Sequence, residues 1–141
     1  MVLLVTDRFD EFSNFDIKCL LSSLDIKIVD GFRTVKNPSD VSYLVIDFCN
    51  TNKINGLISH VKQVFKCPII IGSYNKLEGL SFIKEYNIAE YFLQSDSLLE
   101  ETRNMIGAIE SCKNKHSFEI NYYKSKVGLE NLKNFSLKRS I

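Results

Sequence analysis

A single carboxylate, Asp47, ends the apolar run YLVI that begins at Tyr43. The run has the length and composition of a buried strand. A charge at the end of such a strand raises the free energy of the fold unless another group pairs with it. Asp47 is therefore expected either to be capped by a structural partner or to take part in chemistry, and the sequence favours chemistry.

Polar residues also follow the other short apolar runs of the chain. These runs are VLLV at Val2, IKIV at Ile26, PIIIG at Pro68 and YFL at Tyr91. In open parallel sheets, ligands bind beyond the carboxyl ends of the strands, where the strand order switches. The candidate site residues at these ends are Thr6, Asp7, Asp30, Asp47, Gly72, Ser73 and Gln94.

The order of elements predicts the sheet that would bring these residues together. The five runs read as buried parallel strands, and helical spacing of apolar residues separates most of them. The predicted helix faces are Phe12, Phe15 and Cys19; Ile54, Leu57, Ile58, Val61, Val64 and Phe65; Leu77, Leu80 and Ile83; and Leu98, Thr102, Met105, Ile106 and Ile109. Ser97 and Glu100 have the spacing of a capping box for the last helix. We expect a flavodoxin-like, doubly wound, five-stranded parallel sheet with helices on both faces.

One crossover is too short for a full helix. Only residues 32–42 separate the sequence IKIVDG, which begins at Ile26, from the run YLVI, and they contain Pro38 in the turn-like sequence KNPSD. The second helix is therefore expected to be reduced.

With these residues in place, residues 1–112 resemble the receiver domain of bacterial two-component response regulators. That family has an acidic pair after the first strand, a phosphate-accepting Asp after the third, Ser or Thr after the fourth, and Lys after the fifth. The corresponding residues here are Thr6 and Asp7, Asp47, Ser73 and Gln94.

The resemblance implies specific roles for these residues. Asp47 would be the phosphoacceptor, and Ser73 and Tyr91 would be the switch residues. Asp7, Asp47 and the backbone carbonyl of Cys49 would bind Mg²⁺. Two pocket positions are degenerate, however. Thr6 removes one of the paired acids, and Gln94 replaces the charged Lys, so Mg²⁺ is expected to bind weakly and phosphorylation to be weak or absent.

Composition excludes several other classes of function. The net charge of +1 gives no global field for nucleic acid or an anionic membrane. No apolar run approaches the length of a membrane span or signal peptide, so a cytoplasmic protein is expected. The four cysteines lack metal-ligand spacing and are interpreted as reduced core thiols. Residues 113–141 form a basic tail or short helix outside the receiver-like domain, too short for a DNA-binding module.

Two hypotheses of function follow. The first is an atypical receiver-like module, not an enzyme, that binds a signalling protein: a sensor kinase, an output protein or a second copy of itself. Its contact face is expected to include Tyr86, Tyr91 and the neighbourhood of Glu101. The alternative is an Mg²⁺-dependent phosphoacceptor on Asp47, the N-terminal regulatory part of a transcription regulator. A nucleotide binder of flavodoxin-like shape would need a phosphate loop that the sequence does not provide.

Overall fold

Five parallel strands form one sheet in the computed structural model, which describes residues 1–50 and 52–115. Their order in the sheet is β2-β1-β3-β4-β5, so the chain reverses its winding direction after β2. The strands are Val2–Thr6 (β1), Ile26–Asp30 (β2), Tyr43–Asp47 (β3), Ile69–Ser73 (β4) and Glu90–Leu93 (β5). The predicted five-stranded, flavodoxin-like sheet is therefore confirmed.

Helices connect the strands at most crossovers. The α-helices of the described residues are Phe9–Phe12 (α1), Phe15–Ser23 (α2), Asn52–Val64 (α3), Lys76–Tyr86 (α4) and 98–115 (α5). Between β2 and β3 the chain makes only two 3₁₀ turns, Phe32–Thr34 and Pro38–Asp40. The expected reduction of the second crossover is confirmed, because twelve residues with a proline leave no room for a packed helix.

The first predicted helix face is wrong. Phe12, Phe15 and Cys19 were expected on one continuous helix, but the chain breaks at Ser13 and Asn14 into two helices. The Asn14 side chain accepts a hydrogen bond from the backbone N–H of Asp16, which caps α2 and fixes the break. Phe12 is buried, whereas Phe15 is 78% exposed and Cys19 is also exposed.

The predicted face of α4 is also wrong. Leu77 is 81% exposed and Leu80 is 46% exposed, while Gly79 and Phe82 face the core. The reason is the close approach of α4 to β5. A Cβ atom at Gly79 would lie 2.3 Å from Cδ2 of Tyr91, so only glycine allows this packing.

The faces of α3 and α5 agree better with the predicted patterns. Ile54, Ile58, Val61 and Phe65 are buried beneath α3, with Leu57 and Val64 at its exposed flank. Met105, Ile109 and Thr102 are buried on α5. The Ser97 hydroxyl accepts a hydrogen bond from the backbone N–H of Glu100 at 3.3 Å, which is one half of the predicted capping box. The backbone N–H of Ser97 donates to Ser95 Oγ instead of to the Glu100 side chain, so the other half is replaced.

The core lies against the central strands, with β-branched and leucine side chains of β1, β3 and β4 almost fully buried. The four cysteines form no disulfide bond among the described residues, and only Cys112 is buried and Cys67 partly so. The expectation of core thiols is wrong for Cys19 and Cys49, which are exposed.

Two compact units divide the chain, Met1–Ile109 and Glu110–Ile141. The first holds the whole sheet. Most of the predicted tail, residues 116–141, lies outside the described residues. Within the described part, we find no helix with the length and apolar character needed to cross a membrane.

Candidate functional site

Asp47 is a completely buried carboxylate, and both of its oxygens accept hydrogen bonds from the chain itself. Oδ2 accepts from the Thr6 hydroxyl at 3.0 Å and from Arg8 Nη2 at 2.8 Å. Oδ1 accepts from Gln94 Nε2 at 2.7 Å and lies 3.0 Å from Arg8 Nη2. A buried charge is stable only when it is paired and hydrogen-bonded, and Asp47 meets both conditions.

Sheet register brings three of these side chains together. Thr6 and Asp47 are directly paired across β1 and β3, at the carboxyl end of each strand. Gln94 follows β5, and its amide reaches Asp47 across the end of β4 because Gly72 has no side chain there. A Cβ atom at Gly72 would lie 2.9 Å from Gln94 Nε2. The two positions that depart from the receiver pattern, Thr6 and Gln94, therefore both donate to Asp47.

Arg8 lies between β1 and α1 and occupies the centre of the site. Its backbone N–H donates to Thr6 Oγ1 at 2.9 Å, which fixes the chain as it leaves β1. The guanidinium carbon lies 5.4 Å from the ring centroid of Phe12, a cation–π contact that holds the side chain inward. Nη1 lies 3.7 Å from Glu11, while Nη2 points at the buried carboxylates.

Glu101 is the second buried carboxylate of the site. It lies in the first turn of α5 and is fully buried. Its Oε2 pairs with Arg8 Nη2, and its Oε1 accepts from the backbone N–H of Ser95 at 3.0 Å. Glu101 therefore ties the start of α5 to the β1–α1 connection.

The cluster contains more negative than positive charge. Asp47 and Glu101 share one buried guanidinium, so their charges are incompletely balanced. Burial, and then the Asp47 carboxylate, raise the pKa of Glu101 to about 7, although the Ser95 N–H and Arg8 act in the opposite direction. Burial disfavours charged Arg8, but Asp47 and Glu101 outweigh it and raise the pKa of Arg8. Glu101 is consequently the group of this cluster whose protonation changes near neutral pH.

Asp7 and Cys49 lie at the exposed rim of the site. The Asp7 carboxylate accepts the backbone N–H of Cys49, with N–O distances of 3.1 and 3.2 Å. Burial raises the pKa of the Cys49 thiol, an effect that the nearby Arg8 opposes. The role of Asp7 in this structure is to cap the loop after β3.

The donor set around Asp47 does not fit Mg²⁺. The cation would need several oxygen ligands in octahedral array, whereas Asp47 is surrounded by a hydroxyl, an amide N–H and a guanidinium, all of them donors. In residues 1–50 and 52–115, no group of three or more His, Cys, Asp or Glu side chains is arranged to hold a metal ion. The space near Asp47 is taken by the cation of Arg8.

The two switch candidates have local contacts. The Ser73 hydroxyl lies 2.9 Å from both the Asn75 carbonyl and Glu78 Oε1, so it hydrogen bonds within the β4–α4 connection. The Tyr91 ring, half-buried, lies over Gly79. Their roles as switch residues stay predictions.

Arg8 and the buried pairing of Glu101 were missed from the sequence. One signal was present: Arg8 directly follows the pair Thr6 and Asp7, next to the predicted site. Glu101 gave no such signal, because its contact with Arg8 joins residues 93 positions apart. The predicted partner-binding face includes the neighbourhood of Glu101, but the side chain of Glu101 itself is completely buried and pairs with Arg8.

Comparison with known proteins finds no family model, no curated protein sequence and no solved structure that matches this chain. The receiver resemblance therefore depends on the strand-end residues and the sheet order alone.

Proposed function

We propose that this protein is a cytoplasmic, receiver-like signalling module of a bacterial two-component-type pathway that acts by binding a partner protein, without phosphorylation of Asp47. The observation that carries the proposal is the closure of Asp47 by the chain's own donors. An incoming phosphoryl group needs a free carboxylate oxygen and a cation to screen the two anions. Here both oxygens are already bound, and the cation is a side chain.

A second observation supports binding as the activity. Apolar side chains are exposed along α4 and the edge strand β5, namely Leu77, Leu80 and Leu93, with the half-buried Tyr91 between the two elements. We call these four residues the α4–β5 surface. Exposed apolar patches mark protein-binding surfaces, and aromatic residues are enriched in them. Tyr86 is less available, because its hydroxyl donates to Asn55 and its ring stacks on Phe82.

The partner is a protein of the same signalling pathway: a sensor kinase, an output protein or a second copy of this chain. The balanced net charge of +1 gives no reason to expect nucleic acid as the partner.

The first experiment tests phosphorylation directly. The purified protein is incubated with acetyl phosphate and Mg²⁺, beside an active receiver domain as a positive control, and intact masses are measured. We expect the mass of the protein to stay unchanged while the control gains one phosphoryl group. A phosphoryl group on Asp47 would contradict the proposal and support the phosphoacceptor alternative.

The second experiment tests the α4–β5 surface. Partners captured by the wild-type protein are identified by mass spectrometry, self-association is measured by sedimentation, and both are repeated with Leu77→Gln. We expect weaker capture or self-association, because Leu77 is 81% exposed and its apolar area would be buried in a complex. The matched control is Phe15→Gln, which removes an equally exposed apolar side chain from α2. Equal loss in both variants, or capture that requires acetyl phosphate, would argue against the proposal.

A further inference from the structure

We infer that Arg8 replaces the divalent cation at the carboxyl end of this sheet: the site is a cation site that the chain fills with its own guanidinium nitrogen. The inference deepens the proposed function, and it rests on that proposal in assuming that the wild-type site does not use Mg²⁺. It explains why the residues fail to fit Mg²⁺ although two buried carboxylates remain.

Three carboxylate oxygens converge on one atom, Arg8 Nη2. They are Oδ1 of Asp47 at 3.0 Å, Oδ2 of Asp47 at 2.8 Å, and Oε2 of Glu101. Nη2 carries only two hydrogens, so three oxygens cannot all accept well-directed bonds from it. Packing of oxygens around a positive centre describes this arrangement better than directional hydrogen bonding does.

The rest of the guanidinium supports the same interpretation. Arginine usually binds carboxylates through two parallel N–H bonds of its planar fork. Here the Nε–H of Arg8 is buried and has no hydrogen-bond partner among the described residues. Of the three guanidinium nitrogens, only Nη2 donates a hydrogen bond to Asp47. The side chain therefore acts as a point charge delivered to one position.

That position has the ligands that a hard divalent cation prefers. An ion at the place of Nη2 would have oxygens from β3 and α5 around it, with water able to complete its shell. The two Asp47 oxygens would need to move inward by less than about 1 Å to reach ordinary Ca²⁺–oxygen distances. Removal of Arg8 should therefore leave a protein whose stability depends on a divalent cation.

The experiment compares wild type with Arg8→Gln and Arg8→Lys by thermal unfolding. Each protein is measured in EDTA, in millimolar Mg²⁺ or Ca²⁺, and in sodium chloride of matched ionic strength. We expect the wild-type Tm to be unaffected by divalent cations. In EDTA, Arg8→Gln should unfold about 10 °C lower, because two buried carboxylates lose their counter-ion. Divalent cations should restore about half of that loss, and sodium chloride should not.

The variant Arg8→Lys tests whether the site needs only a positive charge or also the planar donor geometry of arginine. A lysine ammonium supplies a compact charge without a fork, so this variant should keep most of the wild-type Tm and show no divalent effect. Arg103→Gln, which removes an exposed arginine of α5, is the control and should change neither value. In the double variant Arg8→Gln, Glu101→Gln, divalent cations should raise the Tm by less, because one of the two converging side chains is no longer charged.

Several outcomes would overturn the inference. One is a rise in the wild-type Tm on addition of divalent cations that is as large as the rise for Arg8→Gln. Another is that divalent cations neither raise the Tm of Arg8→Gln nor bind to it by calorimetry. If Arg8→Gln is unfolded in EDTA, circular dichroism should show it folding when the cation is added, and failure to fold would also overturn the inference. Phosphorylation of wild-type Asp47 would instead refute the proposed function, so the two failures can be told apart.

Discussion

Replacement of Glu101 by glutamine should change how the stability of this protein depends on pH. In the folded protein the pKa of Glu101 is raised to about 7, from an ordinary value of 4.5. The folded state therefore binds this proton more tightly than the unfolded state does between those two pH values. Through this one group, the free energy of unfolding is highest below pH 4.5 and falls as the pH rises towards 7.

The size of the effect follows from the difference between the two pKa values. At about 1.4 kcal/mol per pH unit, the full difference corresponds to about 3 kcal/mol. Part of this difference falls below pH 5, so we expect about 2 kcal/mol of stability to be lost between pH 5 and pH 8. Glu101→Gln removes the titrating group but keeps the shape of the side chain and one acceptor for the Ser95 N–H. The variant should lose this part of the pH dependence.

Urea unfolding of both proteins at pH values from 5 to 8 measures the effect. The free energy of unfolding of Glu101→Gln, relative to wild type, should rise by about 2 kcal/mol across that range. Glu100→Gln is the control, since Glu100 is exposed on the same helix turn, and its curve should run parallel to that of wild type. Parallel curves for Glu101→Gln as well would refute the reasoning that burial and the Asp47 charge raise the pKa of Glu101.

Three further substitutions test the contacts that shape the site, each by urea unfolding. Gly72→Ala should lower the free energy of unfolding by about 2 kcal/mol, because its Cβ would lie 2.9 Å from Gln94 Nε2. Gly79→Ala should lower it by a similar amount in wild type but have little effect beside Tyr91→Ala, which removes the ring that clashes. Ser97→Ala should lower it by about 1 kcal/mol through loss of the α5 cap. For each of the three single substitutions, a change in the free energy of unfolding below about 0.5 kcal/mol would contradict the contact. For Gly79→Ala combined with Tyr91→Ala, a loss as large as in wild type would contradict it.

The strands could be predicted because their signals are local. Runs of branched apolar residues such as YLVI form buried parallel strands almost independently of what surrounds them, and all five runs became strands. The faces of the shorter helices could not be predicted in the same way. Which side of α4 is buried depends on Gly79 meeting Tyr91 on another element, and nothing within the helix sequence encodes that contact.

The part of the site that lies at strand ends could also be predicted, because it follows from the position of the strands. Strand ends placed Thr6, Asp47 and Gln94 together, since register and strand order determine which ends meet. Arg8 and Glu101 join the site through long side chains from a loop and a helix, and their pairing depends on rotamers and on burial. A charge count would have helped, because one buried carboxylate already requires a cation nearby.

Thr6, Arg8 and Gln94 make sense only as a set. Considered alone, Thr6 and Gln94 look like losses, since each removes a charge that the receiver pattern has. Around Asp47, however, a second acid in place of Thr6 would add to the excess negative charge, and a lysine in place of Gln94 would compete with Arg8 for the same oxygens. With Arg8 present, neutral donors at both positions are what a buried carboxylate needs. Thr6 and Gln94 therefore fit a carboxylate that is hydrogen-bonded by its own chain, which supports the proposal that Arg8 takes the place of a metal ion at this position.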